Sequence, residues 1–211
     1  MPAERLAAFL GEKWGEPVTI AGLKRFHGGS ARQTYRFDAI GASGRREALV
    51  LRRDPPSSLI ETERLDEFRA LKAFHGTSVP VPEPLWCEAD AFGSPGFLMR
   101  EVAGGQAAGL MAPEPYGDDA APLGEALFTA LGAIHRTAPE AAGLAPVTAN
   151  DAARLRLDHW RRAFEADRFR PEPIVEAAFR WLDRTPVTPA QRISVIHSDF
   201  RSGNFLHAGP R

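Results

Sequence analysis

An α+β chain in two parts, a mostly antiparallel β-rich first half and a helical second half, is what this sequence predicts. Three observations lead there. Short β-branched and aromatic runs separated by glycine-bearing turns occupy residues 18–102, with a single helical pattern among them. Three helical patterns follow at about 122–137, 150–167 and 173–184. Between the two parts, Val102-Ala103-Gly104-Gly105 opens a loop-like stretch over 105–121.

Taken in order, residues 2–14 form a short amphipathic helix with Leu6, Phe9 and Leu10 on one side. Val18-Thr19-Ile20 with Leu23-Lys24-Arg25-Phe26, and then Thr34-Tyr35-Arg36-Phe37, flank Gly28-Gly29-Ser30 and predict a hairpin with a glycine tip. Ala48-Leu49-Val50-Leu51-Arg52 is the next strand. Residues 59–75 read as a helix with a stripe of Ile60, Leu65, Phe68, Leu71 and Phe74. Alternate prolines over Val79–Pro84 hold the chain extended, because they remove donors and disfavour helical backbone before them. Leu85-Trp86-Cys87 and Phe97-Leu98-Met99 are short strands around a Gly93–Gly96 turn. The Ala- and Pro-rich stretch 138–149 is read as a linker between helices. Two units are expected, 1–102 and 103–211, joined near Glu101–Gly105.

Composition excludes several function classes. With 44% hydrophobic and 25% charged residues the chain is an ordinary globular protein. A net charge of −1 offers no whole-molecule attraction to nucleic acid or anionic lipid. Cys87 is the only cysteine, which rules out an intrachain disulfide and a thiolate cluster. The charged N-terminus lacks a signal peptide's apolar core, and no apolar stretch approaches the roughly 20 residues that span a bilayer. A cytoplasmic location is the expectation. The six histidines show no tight ligand spacing, and no G-x-x-x-x-G-K-[ST] occurs, so neither a metallohydrolase nor a Walker-type NTPase is indicated.

The segment with chemistry is His197-Ser198-Asp199-Phe200-Arg201-Ser202-Gly203-Asn204, which follows the apolar run Ile193–Ile196. Its His-x-Asp-x-x-x-x-Asn spacing is that of the kinase catalytic loop. One carboxylate must orient an attacking hydroxyl, and a side-chain carbonyl some residues later must face a metal on nucleotide phosphates. Gly203 lets the backbone turn between them. Such residues also populate plain polar turns.

Through Phe205 and Leu206 this segment resembles the aminoglycoside phosphotransferase and choline-kinase-like family, whose loop runs H-G-D-x-x-x-G-N-x-L. Ser198 departs from the usual glycine. The Asp-Phe-Arg form is most similar to the branch whose kinase domains are fused to acyl-CoA dehydrogenases. The resemblance implies a two-lobed protein-kinase-like fold, ATP and Mg²⁺ as cofactors, and transfer of the γ-phosphoryl group to a hydroxyl of a small molecule. Partners are then a nucleotide and a small-molecule hydroxyl acceptor, with no nucleic acid polymer and no membrane.

It also implies roles by position. Asp199 orients the acceptor, Asn204 is a metal ligand, His197 braces the loop, and Arg201 is a cation that supports the catalytic residues from behind or faces the acceptor. Arg52 occupies the place of the strand lysine that neutralises nucleotide phosphates, keeping the charge while gripping phosphate bidentately. Arg53 points to the opposite face, and a one-residue shift would exchange the two. Glu67, sharing a helix face with Leu71 and Phe74, is the carboxylate that would hold Arg52. Gly29 and Ser30 fall in the phosphate-covering hairpin. Val50 and Met99 are core residues beside the base, and backbone groups of Glu101 and Val102 would meet the adenine edge.

The family also uses a second metal carboxylate on the strand after the asparagine, and residues 205–211 contain none. The sequence is therefore expected to be C-terminally truncated, and these residues alone to be weakly active or inactive. The alternative is a non-catalytic nucleotide-binding or interaction domain of the same fold. The acceptor among hydroxyl compounds cannot be read from fold.

Overall fold

The structure, a computed structural model, describes residues 3–26, 33–55, 64–107, 114, 116–185, 188–201 and 203–208. Five strands form one antiparallel sheet: β1 (Val18–Phe26), β2 (Gln33–Gly41), β3 (Arg46–Arg53), β4 (Pro84–Glu88) and β5 (Gly96–Arg100), in the order β1-β2-β3-β5-β4. The two runs expected over 18–26 are one strand with a bulge between Ala21 and Lys24, where Gly22 supplies a φ of 61°.

The period-2 pattern gives the sheet two unlike faces. Tyr35, Phe37 and Ala39 of β2 lie beside Leu49 and Leu51 of β3 and Leu98 of β5, all buried. Helix α1 (Ala3–Trp14) seals that face with Leu6, Phe9 and Leu10, and Phe92 completes the cluster, edge-on to Phe9 at 5.1 Å. Fully burying each such side chain stabilises by roughly 1.5–3 kcal/mol, so this cluster dominates the N-terminal part. The other face carries Arg36, Val50 and Met99 in one cross-strand row and Thr34, Arg52 and Phe97 in the next.

Helix α2 (Arg64–Phe74) lies on that second face, with Phe68 packed on Phe97 at 5.9 Å between ring centroids. The expected stripe needs correction. Leu65 is exposed, whereas Arg64 is buried. The inward face runs through Arg64, Glu67, Phe68, Leu71 and Phe74, and Leu65 is turned about 100° from Arg64 by the helical period. Ile60 lies outside the described residues.

A second cluster joins the end of α2 to the helical part. It contains Phe74, Val79, Ile134 of α3 (Ala120–Arg136), Ala142 and Val195. The stretch 138–149 is thus not a bare linker: Pro139–Ala142 forms a 3₁₀ turn that buries Pro139 and Ala142. Helices α4 (Ala152–Asp167) and α5 (Pro173–Arg184) bury no residue. They meet through Phe164 on Phe179 at 5.7 Å and through Asp183, which takes both Arg154 and Arg161. No helix among the described residues is long and apolar enough to cross a membrane.

Two further strands were not legible in the sequence. β6 (Gln106–Ala107), just past the β-rich part, pairs antiparallel with β7 (Leu206–His207), just past the His-Ser-Asp segment. Tyr116 stacks on Phe205 at 5.6 Å beside this pair. A Cβ on Gly105 would meet the Leu206 side chain at 3.1 Å, so a glycine allows the two segments to lie this close.

Candidate active site

Two groups of side chains, one on the sheet and one on the loop before β7, assemble the chemistry. On the sheet, alternation sends Arg52 and Arg53 to opposite faces. Arg53 donates to the Phe92 carbonyl at 2.7 Å and to Gln33 Oε1 at 2.8 Å, on the side sealed by α1. Arg52 points to the α2 side, where its Nη1 lies 2.6 Å from Glu67 Oε1. The strand cation and the helix carboxylate are therefore brought together. Arg52 Nε is buried without a hydrogen-bond partner, and a third of the side chain is exposed. The exposed third of the side chain is what an incoming anion can meet.

Val50 and Met99 are cross-strand partners one step from Arg52 along the same face; Val50 is buried and Met99 half-buried. Beyond β5, the Glu101 N–H donates to the Ala48 carbonyl at 3.0 Å and the Val102 carbonyl accepts from Gly105 N–H at 3.1 Å. Those two backbone groups are spent inside the protein. Arg36, from the same row as Val50, holds the Glu101 carboxylate through Nε at 3.1 Å and Asp38 through Nη1 at 2.8 Å. These carboxylates, Glu101 foremost, raise the Arg36 guanidinium above its ordinary range.

On the loop, Val195 anchors the approach. Its side chain is buried in the second cluster, and its N–H donates to the Thr137 carbonyl at 2.9 Å. The run Ile193–Ile196 does not form a regular strand. Ser198 follows at φ 68°, the one non-glycine residue in left-handed backbone among the described residues. That conformation explains why glycine is usual there. His197 is exposed and sits edge-on to Phe200 at 5.4 Å between ring centroids.

The turn then folds Asn204 back on Asp199. Asn204 Nδ2 donates to the Asp199 carbonyl at 2.9 Å and to its carboxylate Oδ2 at 2.5 Å, while Arg201 Nε donates to Oδ1 at 2.9 Å. The Asn204 amide, foremost, and the Arg201 guanidinium hold the Asp199 carboxyl below its ordinary range. Asp199 is thus ionised at neutral pH and exposed, able to accept a hydrogen bond from a hydroxyl. With Nδ2 committed to Asp199, Asn204 presents Oδ1, a hard oxygen that suits Mg²⁺. Among the described residues no three His, Cys, Asp or Glu side chains gather to hold a metal.

Gly29 and Ser30 lie outside the described residues. The residue that sequence reasoning missed is Arg64, which shares Glu67 with Arg52. Its partner Asp54 lies outside the helix, and no spacing within α2 points to it.

Residues 22–211 match the Phosphotransferase enzyme family, APH. The fold is similar to that of a protein from Ralstonia eutropha JMP134 proposed to be an aminoglycoside phosphotransferase, with TM-score 0.64 and 20% identity. All of this chain aligns to 61% of that one, so it spans less than two thirds of that protein's length. No curated protein matches the chain. With nearly its whole length matched, the chain belongs to the phosphotransferase enzyme family.

Proposed function

We propose that this chain binds ATP with Mg²⁺ between the sheet and the catalytic loop and transfers the γ-phosphoryl group to a hydroxyl of a small molecule. The observation that carries this proposal is the Arg52–Glu67 contact of 2.6 Å, which fixes a partly exposed strand cation on the sheet face that carries Val50 and Met99. The Asp-Phe-Arg form of the loop favours the branch with kinase domains fused to acyl-CoA dehydrogenases. A cytoplasmic setting suits the lone thiol of Cys87.

Arg52 takes the α- and β-phosphates while Glu67 keeps it from swinging away. The family resemblance gives Gly29 and Ser30 the role of covering the phosphates. Val50 and Met99 flank the base. The Glu101 carbonyl and the Val102 N–H are left for its edge, since the other two backbone groups there are spent. Bound magnesium supplies neutralisation of charge on the phosphates. Asp199 accepts the acceptor's hydroxyl hydrogen bond and aligns its oxygen for attack, and His197 and Arg201 hold the loop in that geometry. The new O–P bond forms as the bond between the γ-phosphorus and the β,γ-bridging oxygen breaks. ADP leaves, and the hydroxyl proton passes to Asp199 and on to water.

Equilibrium binding of a fluorescent ATP analogue in Mg²⁺ tests the sheet half. Arg52→Ala should weaken affinity by about tenfold or more, the equivalent of roughly 1.4 kcal/mol. ADP release over a panel of hydroxyl compounds tests the loop half: turnover by residues 1–211 alone should be weak or absent, and Asp199→Asn should abolish whatever there is. No nucleotide binding, or binding indifferent to Arg52→Ala, would overturn the proposal.

A further inference from the structure

Arg64 is the one buried charged residue among those described, 3% exposed at the first residue of α2. A buried guanidinium is several kcal/mol unfavourable unless paired. Two of the three guanidinium nitrogens are paired, and Nη2 is buried without a hydrogen-bond partner. Arg64 Nε donates to Asp54 Oδ1 at 2.7 Å, and Nη1 bonds Glu67 Oε2 on the next turn. Its guanidinium also lies over the Phe97 ring at 6.0 Å.

Asp54, just beyond β3, is itself fastened to the turn before β5. Its N–H donates to the Pro95 carbonyl at 2.9 Å, and Ser94 Oγ donates to the Asp54 carbonyl at 2.6 Å. A continuous tie thus runs from that turn through Asp54, Arg64 and Glu67 to Arg52. Glu67 is held by two cations, one carboxylate oxygen on each. A glutamate with only one cation loses its tether when that cation turns to phosphate. Here the tether remains.

We propose that Arg64 is a positioning residue: it holds Glu67, and through it α2, in place for Arg52 both before nucleotide binds and after phosphate engages Arg52. The proposal rests on the assignment of Arg52 to nucleotide phosphate.

Hydrogen exchange of the α2 amides without nucleotide, and affinity for the fluorescent ATP analogue, test it on the full chain. Arg64→Met should speed exchange over α2 and weaken affinity by about fivefold, within the coupling expected inside one ion-pair network. Because Arg64 acts through Glu67, Arg64→Met combined with Glu67→Gln should bind no more weakly than Glu67→Gln alone. Asp54→Asn, which leaves Arg64 in place, should shift both readouts in the same direction by less, and it carries the comparison if Arg64→Met does not fold. Additive losses in the double variant, or unchanged affinity beside normal binding by the unaltered chain, would overturn the role of Arg64 alone. No nucleotide binding by the unaltered chain would overturn the Arg52 assignment and this role with it.

Discussion

Replacing Ser198 by glycine should stabilise the protein. Ser198 has φ 68° and is exposed. A side chain in left-handed backbone costs roughly 1–2 kcal/mol. Glycine removes that strain but gains freedom in the unfolded chain, which returns about 0.5–1 kcal/mol. The net expectation is about 0.5–1 kcal/mol in favour of Ser198→Gly. For a chain of this length 1 kcal/mol moves Tm by roughly 2–4 °C, so thermal unfolding should shift upward by about 1–4 °C. Ser198→Val should move Tm the other way, because a β-branched side chain fits positive φ worst. An unchanged or lowered Tm for Ser198→Gly, with Ser198→Val neutral, would refute the claim that this position stores backbone strain.

Glu67→Gln leaves Arg52 and the buried Arg64 sharing a neutral amide, and should destabilise by about 3 kcal/mol in urea unfolding. Asn204→Ala removes the principal cause of the low Asp199 titration, so the NMR midpoint of that carboxyl should rise. By linkage, the stabilisation from ionised Asp199 is present above its unfolded pKa and lost as pH falls through its lower folded pKa; Asn204→Ala should shrink that acid-side dependence. Gly105→Val would press on Leu206 and on the Val102 carbonyl, and should cost about 1–3 kcal/mol while speeding amide exchange in β7. Leu98→Ala, at the centre of the sealed face, should cost about 2–5 kcal/mol by thermal unfolding.

The elements that sequence patterns disclosed are those whose partners lie within one strand or one helical turn. Alternation over Tyr35, Phe37 and Ala39 names the sealed face, and the same parity separates Arg52 from Arg53. The spacing of Glu67 to Leu71 and Phe74 turns it inward before any partner is known. What stayed hidden depends on groups far apart in the chain. Arg64 has i+4 and i+7 spacing to Phe68 and Leu71, which sets its direction, but its full burial depends on Asp54 and Glu67 meeting it there. Leu65 looked like core for the complementary reason: hydrophobicity alone does not tell which of two adjacent residues faces the sheet. Pro139 and Ala142 pack because Phe74 and Val79 arrive beside them. The two-residue strands β6 and β7 are too short for any periodicity. Ser198 was visible as a departure from a glycine, and its φ supplies the reason.

The pairing of residues 106–107 with 206–207 orders events during synthesis. All five strands of the main sheet have been made by Arg100, and their contacts connect neighbours or near neighbours along the chain. That sheet can close on α1 while the ribosome is still making the helices, as N-terminal units generally do. The segment carrying Asp199 and Asn204 must instead wait for a loop of about a hundred residues to close, a slow kind of contact. A nascent chain halted after α3 would then hold a finished sheet, with Arg52 already in place and no loop to work with it.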